Sequence, residues 1–221
     1  MIDWQPLLLS FKLAVVTTVI LLIISIPLAY WLSKGKSNFK LILQTIVSLP
    51  LVLPPSVLGF YMLLAFSPNY FLGNFLKTYF DLRLVFTFNG LVVASVIYSL
   101  PFMIQPLISG FHAVPSSLTD AAFSLGKNKW QTLYRVQLPN MKPFIYSATV
   151  LSFAHVIGEF GVVLMIGGNI PGETKLASIA IYDEVQSMNY STANIYSVIL
   201  LCISFTILLS VHFINRKLQK K

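Results

Sequence analysis

Long apolar runs separated by short polar segments dominate the pattern along the chain. The five runs cover approximately residues 11–33, 41–66, 89–111, 143–166 and 194–214. A helix needs about 20 apolar residues to cross the hydrocarbon core, and lipid offers the backbone no hydrogen bonds, so each crossing must be helical. The pattern therefore predicts an all-α membrane protein with five transmembrane helices in a single domain, residues 1–221.

Prolines interrupt several of the runs and predict kinks that face protein or a water-filled path. An additional apolar patch at residues 176–181 leaves a sixth crossing open. Six residues are too short to span the core, so a short re-entrant or surface helix is favoured there. The interrupting prolines are Pro27, Pro50, Pro54, Pro55, Pro101 and Pro106.

The distribution of charge agrees with a membrane protein. Charged residues make up 10% of the chain, whereas a soluble domain carries about 25%. The net charge of +8 does not indicate nucleic-acid binding, because the basic residues lie in short loops between apolar runs. The segments richest in them hold Lys34, Lys36 and Lys40; Lys127, Lys129, Arg135 and Lys142; and Arg216, Lys217, Lys220 and Lys221.

These basic segments alternate with loops that hold fewer basic residues and the acids Asp81, Glu173, Asp183 and Glu184. Basic loops stay on the cytoplasmic side of a membrane. The alternation therefore predicts a multi-pass protein of the cytoplasmic (inner) membrane, with its N-terminus outside and its C-terminus in the cytoplasm.

The loop at residues 112–142 has the pattern of a short helix and a turn. Pro115, the Ser117 hydroxyl and Asp120 form a helix-start pattern. Gly126 is suited to end the helix, because glycine tolerates the left-handed conformation.

A second helical pattern follows in the same loop. Trp130, Leu133 and Tyr134 recur at helical spacing, which predicts a helix lying in the membrane interface. Leu138-Pro139 is expected to end it.

The sequence Asp120-Ala121-Ala122, then Gly126, then Val136-Gln137-Leu138-Pro139, resembles the EAA loop of binding-protein-dependent ABC importers. In that family the loop forms a coupling helix that docks on the ATPase subunit. Asp120 stands where the family has Glu, which keeps the charge. Val136 stands where the family has Ile, which keeps a similar shape. The resemblance implies a type I ABC importer permease fold and an ATPase-coupling surface made of Leu118, Asp120, Ala121, Ala122, Phe123, Leu125, Gly126, Leu138 and Pro139.

Other segments are similar to the molybdate permeases of these importers. They are residues 49–55 with Gly59-Phe60-Tyr61, the element Gly158-Glu159-Phe160-Gly161, and residues 169–174. The Gly-Glu-aromatic-Gly element also recurs in sulfate and thiosulfate permeases. The resemblance therefore implies import of molybdate or tungstate by alternating access, with sulfate or thiosulfate as the alternative.

The same resemblance implies the partners: a second permease copy, two ABC ATPase subunits, an external molybdate-binding protein and membrane lipid. The chain itself is expected to hold no cofactor or metal and to be no enzyme, with ATP and Mg²⁺ bound by the ATPase. Gly35-Lys36-Ser37 matches the end of a Walker A motif, but Tyr30 stands where the motif needs its first glycine.

Four residues are candidates for a gate or translocation path: Pro54, Pro55, Glu159 and Asn169. A charge inside a span costs roughly 2.5–3.5 kcal/mol on insertion scales, so Glu159 is expected to face protein. His155, four residues earlier on the same helix face, and Lys175 are its candidate partners. A carboxylate lines an oxyanion path poorly, so a structural or gate-locking role is favoured over substrate contact.

Two other classes of protein fit less well. A membrane-embedded enzyme acting on lipid would need clustered His, Asp or Glu side chains, and the three histidines lie far apart in the sequence. An ion channel that works without ATP would have no use for a coupling loop.

Overall fold

The computed structural model describes residues 3–35 and 37–219, and the described chain contains twelve α-helices. A 3₁₀ turn, Leu49–Leu51, follows α2, and a π-helical turn, Leu133–Gln137, joins α7 to α8. The helices are α1 Gln5–Ser33, α2 Asn38–Ser48, α3 Pro55–Phe66, α4 Phe71–Phe80, α5 Phe88–Ala113, α6 Ser116–Ser124, α7 Lys129–Thr132, α8 Leu138–Asn140, α9 Lys142–Ile157, α10 Gly161–Gly167, α11 Ala177–Gln186 and α12 Tyr190–Gln219.

The five predicted runs coincide with three long helices and two bent pairs. Helices α1, α5 and α12 are each long and apolar enough to cross a membrane. The second run is bent by 111° between α2 and α3, and the fourth by 58° between α9 and α10. The first bend is much sharper than a proline kink, because Pro55 forces the preceding Pro54 into an extended conformation with ψ of 136°.

Helices α1, α5 and α9 form the centre of the described fold. Leu21, Met103 and Leu107 are fully buried there. Close helix contact depends on small residues: a Cβ added at Gly110 of α5 would lie 2.8 Å from the Cβ of Phe144 on α9. Such small residues let transmembrane helices approach closely.

The loops divide between the two ends of this bundle. At one end the Tyr196 hydroxyl donates to the carbonyl of Asp3 over 2.6 Å, and the Ser10 hydroxyl accepts from the Ala177 amide over 2.9 Å. At the other end the Tyr30 and Phe111 rings meet edge to face, 5.5 Å apart. Of the basic residues named above, Lys36, Lys220 and Lys221 and the side chains of Arg216 and Lys217 lie outside the described part, as does the His212 side chain.

The apolar patch at residues 176–181 lies in α11, which has only ten residues. The expected short helix is confirmed. Leu176, Ala177 and Ile179 are buried, because α11 packs against α1 and α12.

Candidate functional site

The loop between α5 and α9 contains the predicted short helix as α6. It begins at Ser116, after Pro115, and makes no side-chain cap hydrogen bond. Ser117 is therefore inside the first turn, and the expected hydroxyl cap is wrong. The predicted end is confirmed: Gly126 has a φ of 74°, and the Lys127 amide donates to the Ala122 carbonyl over 3.0 Å, as in a glycine-terminated helix.

Most of α6 is exposed in the described chain, and Ala122 is its buried residue. Leu118, Phe123 and Leu125 expose 40%, 44% and 78% of their surface. Ala121 is exposed as well, whereas Ala122 is 5% exposed and faces the rest of the loop. The two alanines of the motif therefore have different surroundings, and Ala121 alone of the pair is available to another protein.

The segment after Gly126 packs against α6. Asn128 and Gln131 form a reciprocal capping box at the start of α7. The side-chain amide of Gln137 donates to the Thr119 hydroxyl of α6 over 3.3 Å, and Leu133 is 1% exposed. This second segment fixes the position of α6.

The predicted helix end at Leu138-Pro139 is close to the observed one, since α8 ends at Asn140. A proline ring clashes with the carbonyl four residues earlier in a regular helix. The wider π-helical turn at Leu133–Gln137 gives the Arg135 carbonyl room, so Pro139 is accommodated. Leu138 is half-buried and Pro139 exposed.

A second candidate site is an open cleft of about 640 Å³ at the two helix breaks. It brings together the start of α3, the middle of α5 and the break between α9 and α10. Of the four predicted path residues, Pro55 and Glu159 line the cleft, and Pro54 precedes Pro55 as the N-cap of α3. The lining residues are Pro55, Ser56, Tyr98, Ala154, His155, Gly158, Glu159, Phe160 and Gly161.

The two breaks are held together at Gly161. A Cβ added there would lie 2.8 Å from the Cβ of Pro55 and 3.4 Å from the amide nitrogen of Ser56. A larger residue would push α10 away from α3. The glycine therefore sets the distance between the two helix starts that form the rim of the cleft.

Glu159 faces protein, as predicted, but its expected partners are wrong. Because α9 ends at Ile157, Glu159 lies in the break and does not share a helix face with His155. Lys175 is paired with Asp183 at 2.6 Å instead. Glu159 is 4% exposed, and neither of its carboxyl oxygens makes a hydrogen bond of ordinary geometry with the described chain, although Ser95 lies close enough to interact.

His155 is held by α5 rather than by Glu159. Its Nδ1 lies 2.9 Å from the Ser99 hydroxyl. Its ring stacks on Phe102, with centroids 3.9 Å apart, and lies 4.9 Å from the Tyr98 ring. These contacts fix one wall of the cleft.

Asn169, the fourth predicted path residue, does not line the cleft. It follows the end of α10 with a φ of 60°, and its amide donates to both carboxylate oxygens of Asp183 at 3.0 Å. With the Lys175 ion pair, these bonds tie the turn after α10 to α11.

The sequence analysis did not single out Ser56 and Tyr98, which line this cleft, or the buried Ser95, which lies near Glu159. Each is a polar residue inside an apolar run. That signal is weak, because serine and tyrosine also occur in spans for packing alone. Only the contacts between α3, α5 and α9 bring them near Glu159.

Comparison with known proteins identifies the family of the chain. The family of binding-protein-dependent transport system inner membrane components matches residues 22–221. The molybdenum transport system permease protein ModB of Azotobacter vinelandii is 42% identical over 97% of this chain and 95% of that protein. The putative molybdenum transport system permease protein YvgM of Bacillus subtilis is 34% identical over 97% of this chain and 93% of that protein. The sulfate transport system permease protein CysT of Escherichia coli is 29% identical over 88% of this chain and 70% of that protein.

Solved structures share the fold. A bacterial ABC transporter for the import of alginate matches with a TM-score of 0.78 at 18% identity, over 96% of this chain and 78% of that one. The MetNI methionine ABC transporter in an inward-facing conformation matches with a TM-score of 0.73 at 16% identity, over 96% of this chain and 94% of that one. The predicted type I ABC importer permease fold is thus confirmed.

The family match covers most of the chain, and the fold agrees with it. Members of this family are transport components of the inner membrane rather than enzymes. The protein is therefore a membrane-embedded transport subunit, and it belongs to the family of binding-protein-dependent transport system inner membrane components.

Proposed function

We propose that this chain is the permease subunit of an ABC importer that carries molybdate, or the similar dianion tungstate, into the cell. The observation that carries the proposal is the 42% identity to a molybdenum permease over nearly the full length of both chains. The sulfate permease is more distant, at 29%. The import is driven by ATP and Mg²⁺ bound to the partner ATPase.

The proposed complex contains two copies of this chain, two ATPase subunits and an external molybdate-binding protein. Five spans, two of them bent, enclose a path poorly on their own. The likeness to ABC importers of known structure supports partners of this general kind.

The surface of α6 is proposed to dock on the ATPase. Leu118, Phe123 and Leu125 are its apolar anchors, and exposed anchors of this kind supply much of the binding energy of an interface. Asp120, Ala121 and Gly126 line the same surface. Ala122, Leu138 and Pro139 hold it in place from the side of the permease.

The two alanines allow a test of this docking. Ala121→Trp is expected to abolish co-purification with the ATPase and leave the permease folded, because Ala121 is exposed. Ala122→Trp is expected to lower the thermal stability of the permease itself, because Ala122 is buried. Normal ATPase binding by a folded Ala121→Trp variant would contradict the assignment.

The cleft at the helix breaks is proposed as part of the translocation path, with Pro54, Pro55 and Glu159 at its rim and wall. Asn169 is proposed to hold the turn that follows the broken span, through its bonds to Asp183. It would then act on the gate without touching the anion.

The substrate is tested by reconstituting the complex in proteoliposomes with the binding protein. Molybdate-loaded binding protein is expected to stimulate ATP hydrolysis and anion uptake, whereas sulfate-loaded binding protein is not. Stimulation by sulfate alone would replace molybdate with the sulfate alternative.

The orientation is also a proposal, with the N-terminus outside and the loop of α6 in the cytoplasm. In a Cys202→Ser background, Ser124→Cys is expected to react with a membrane-impermeant maleimide only in inside-out vesicles. Asn69→Cys, in the loop between α3 and α4, is expected to react only in right-side-out vesicles. The reverse pattern would invert the topology.

A further inference from the structure

A pocket of about 490 Å³ lies between the end of α3 and the loop that precedes α5. Arg83 lines it, is exposed, and makes no ion pair within the described part of the chain. Asp81, two residues earlier, does not line the pocket, and none of the described lining residues is acidic. The other polar side chains of the lining belong to Ser67, Asn69 and Tyr70, each of which can donate a hydrogen bond.

The pocket lies at the far end of the two helices that start at the cleft. Gly161 brings the first turns of α3 and α10 together, and the two helices pack against each other. At their other end, Leu63 and Leu64 of α3 line the pocket. The amide of Phe86, also in the lining, donates to the Ile166 carbonyl of α10 over 2.8 Å. The same pair of helices therefore leads from the cleft to this pocket.

The pocket belongs to the end of the bundle that holds the N-terminus. Helix α5 begins at Phe88, directly after the loop that carries Arg83. The Lys12 ammonium group, near the start of α1, lies 4.6 Å from the centroid of the Phe88 ring. With the N-terminus outside, as proposed above, the pocket is on the side of the membrane from which an imported anion arrives.

The backbone around Arg83 is held in place from both sides. The Thr87 hydroxyl donates to the Arg83 carbonyl over 3.1 Å. Phe86 has a φ of 63°, which costs a residue other than glycine roughly 1–2 kcal/mol. Gly168 leaves room for its ring, because an added Cβ there would lie 2.5 Å from a ring carbon of Phe86. Strained backbone of this kind occurs often where a ligand is bound.

We propose that this pocket is an entry site for a tetrahedral oxyanion, which the guanidinium group of Arg83 binds together with the side chains of Ser67 and Asn69. The inference rests on the function proposed above and adds a site at the outer end of its path. A guanidinium group can donate two parallel hydrogen bonds to two oxygens of an oxyanion. A single cation that is exposed to water binds weakly, and a path must release its ion as well as accept it.

Protection of a nearby cysteine tests the binding directly. Pro68→Cys lies in the lining without being a proposed ligand, and it is combined with Cys202→Ser. The permease–ATPase complex in phosphatidylcholine proteoliposomes, without binding protein, is labelled from outside with a neutral, impermeant maleimide. A weak site with a Kd of about 3 mM is about three-quarters occupied at about 10 mM molybdate, so labelling is expected to slow about 4-fold. Chloride at equal ionic strength should not slow it.

Two variants make this protection specific to the pocket. Adding Arg83→Gln is expected to remove the protection of Pro68→Cys. A cysteine at Lys77 instead of Pro68 is expected to show no protection, since Lys77 is exposed on α4 outside the pocket.

Uptake by the complete transporter, with its ATPase and molybdate-loaded binding protein, tests the role of the site. Arg83→Gln is expected to lower the uptake rate about 3- to 10-fold, because a charge-assisted hydrogen-bond pair is lost. Arg83→Lys keeps the charge and should lose less. Lys77→Gln is the matched control, since it removes a cation from the same outer segment. Thermal stability and ATPase co-purification, measured on each variant, show that the complex is intact.

Three results would overturn the proposal. One is labelling of Pro68→Cys that molybdate, tungstate and sulfate all leave unchanged. Another is an Arg83→Gln transporter that needs more binding protein for half-maximal ATPase stimulation but has normal uptake at saturation, since Arg83 would then be a docking contact. The third is protection by phosphatidylglycerol without added oxyanion, which would assign the pocket to a lipid headgroup. Protection by sulfate but not molybdate would support an oxyanion site and contradict the substrate proposed above.

Discussion

Truncation of Leu125, the residue that follows α6, gives the sharpest test of the docking surface. Leu125 exposes 78% of its surface in the described chain, so its removal takes little from the packing of the permease. Full burial of a leucine side chain stabilises by about 1.5–3 kcal/mol. With most of that surface available to a partner, Leu125→Ala is expected to weaken ATPase binding by about 1–2 kcal/mol, or about 5- to 30-fold in Kd.

The assay is titration of the solubilised permease with its ATPase, accompanied by a thermal unfolding curve. Leu72→Ala is the matched control, since Leu72 is 42% exposed and lies in α4, in a different loop region. An unchanged Kd for Leu125→Ala, or an equal loss in the control, would refute the reasoning. A lowered unfolding temperature would mean that Leu125 packs within the permease after all.

Three further predictions concern stability, measured by thermal unfolding in detergent. Gly90→Ala is expected to cost about 3 kcal/mol, because its Cβ would lie 1.6 Å from the Leu84 carbonyl oxygen. Asp183→Asn is expected to cost about 1 kcal/mol by removing the Lys175 ion pair. Gly126→Ala is expected to cost about 1–2 kcal/mol through its φ of 74°.

Each of these has its own control. Gly158→Ala should not destabilise, because its φ is −90° and the nearest atom to an added Cβ is 3.8 Å away. The effect of Asp183→Asn should shrink at high salt, which screens partly exposed charges. Gly126→Asn should cost less than Gly126→Ala, since asparagine tolerates the left-handed conformation. Equal effects within either glycine comparison would contradict the backbone argument.

Gly90 shows why a glycine inside an apolar run cannot be interpreted from sequence. It lies in the first turn of α5. Thr87 caps this turn, because its hydroxyl accepts a hydrogen bond from the Gly90 amide over 3.2 Å. The loop before α5 crosses directly over it, and the Phe86 amide in that loop donates to the Ile166 carbonyl of α10 over 2.8 Å. The close approach becomes visible only when the loop and the helix are placed together.

The sequence by itself determined the elements that depend on local chemistry. Lipid leaves each backbone group to be satisfied within its own helix, so the length of an apolar run was enough to locate the three long helices and the two bent pairs. The positive φ required after α6 was likewise predictable from Gly126. The spacing of the loop residues was sufficient to identify the family by resemblance, and the family match over residues 22–221 confirmed it.

The tertiary structure alone decided which side chains share a site. Glu159 and Tyr98 are far apart in the sequence, and they meet because the 58° bend after α9 turns the chain toward α5 and α3. The difference between exposed Ala121 and buried Ala122 depends equally on the segment folded beneath them. Such contacts depend on the packing of distant segments, whereas helix length and the left-handed turn depend on neighbouring residues alone.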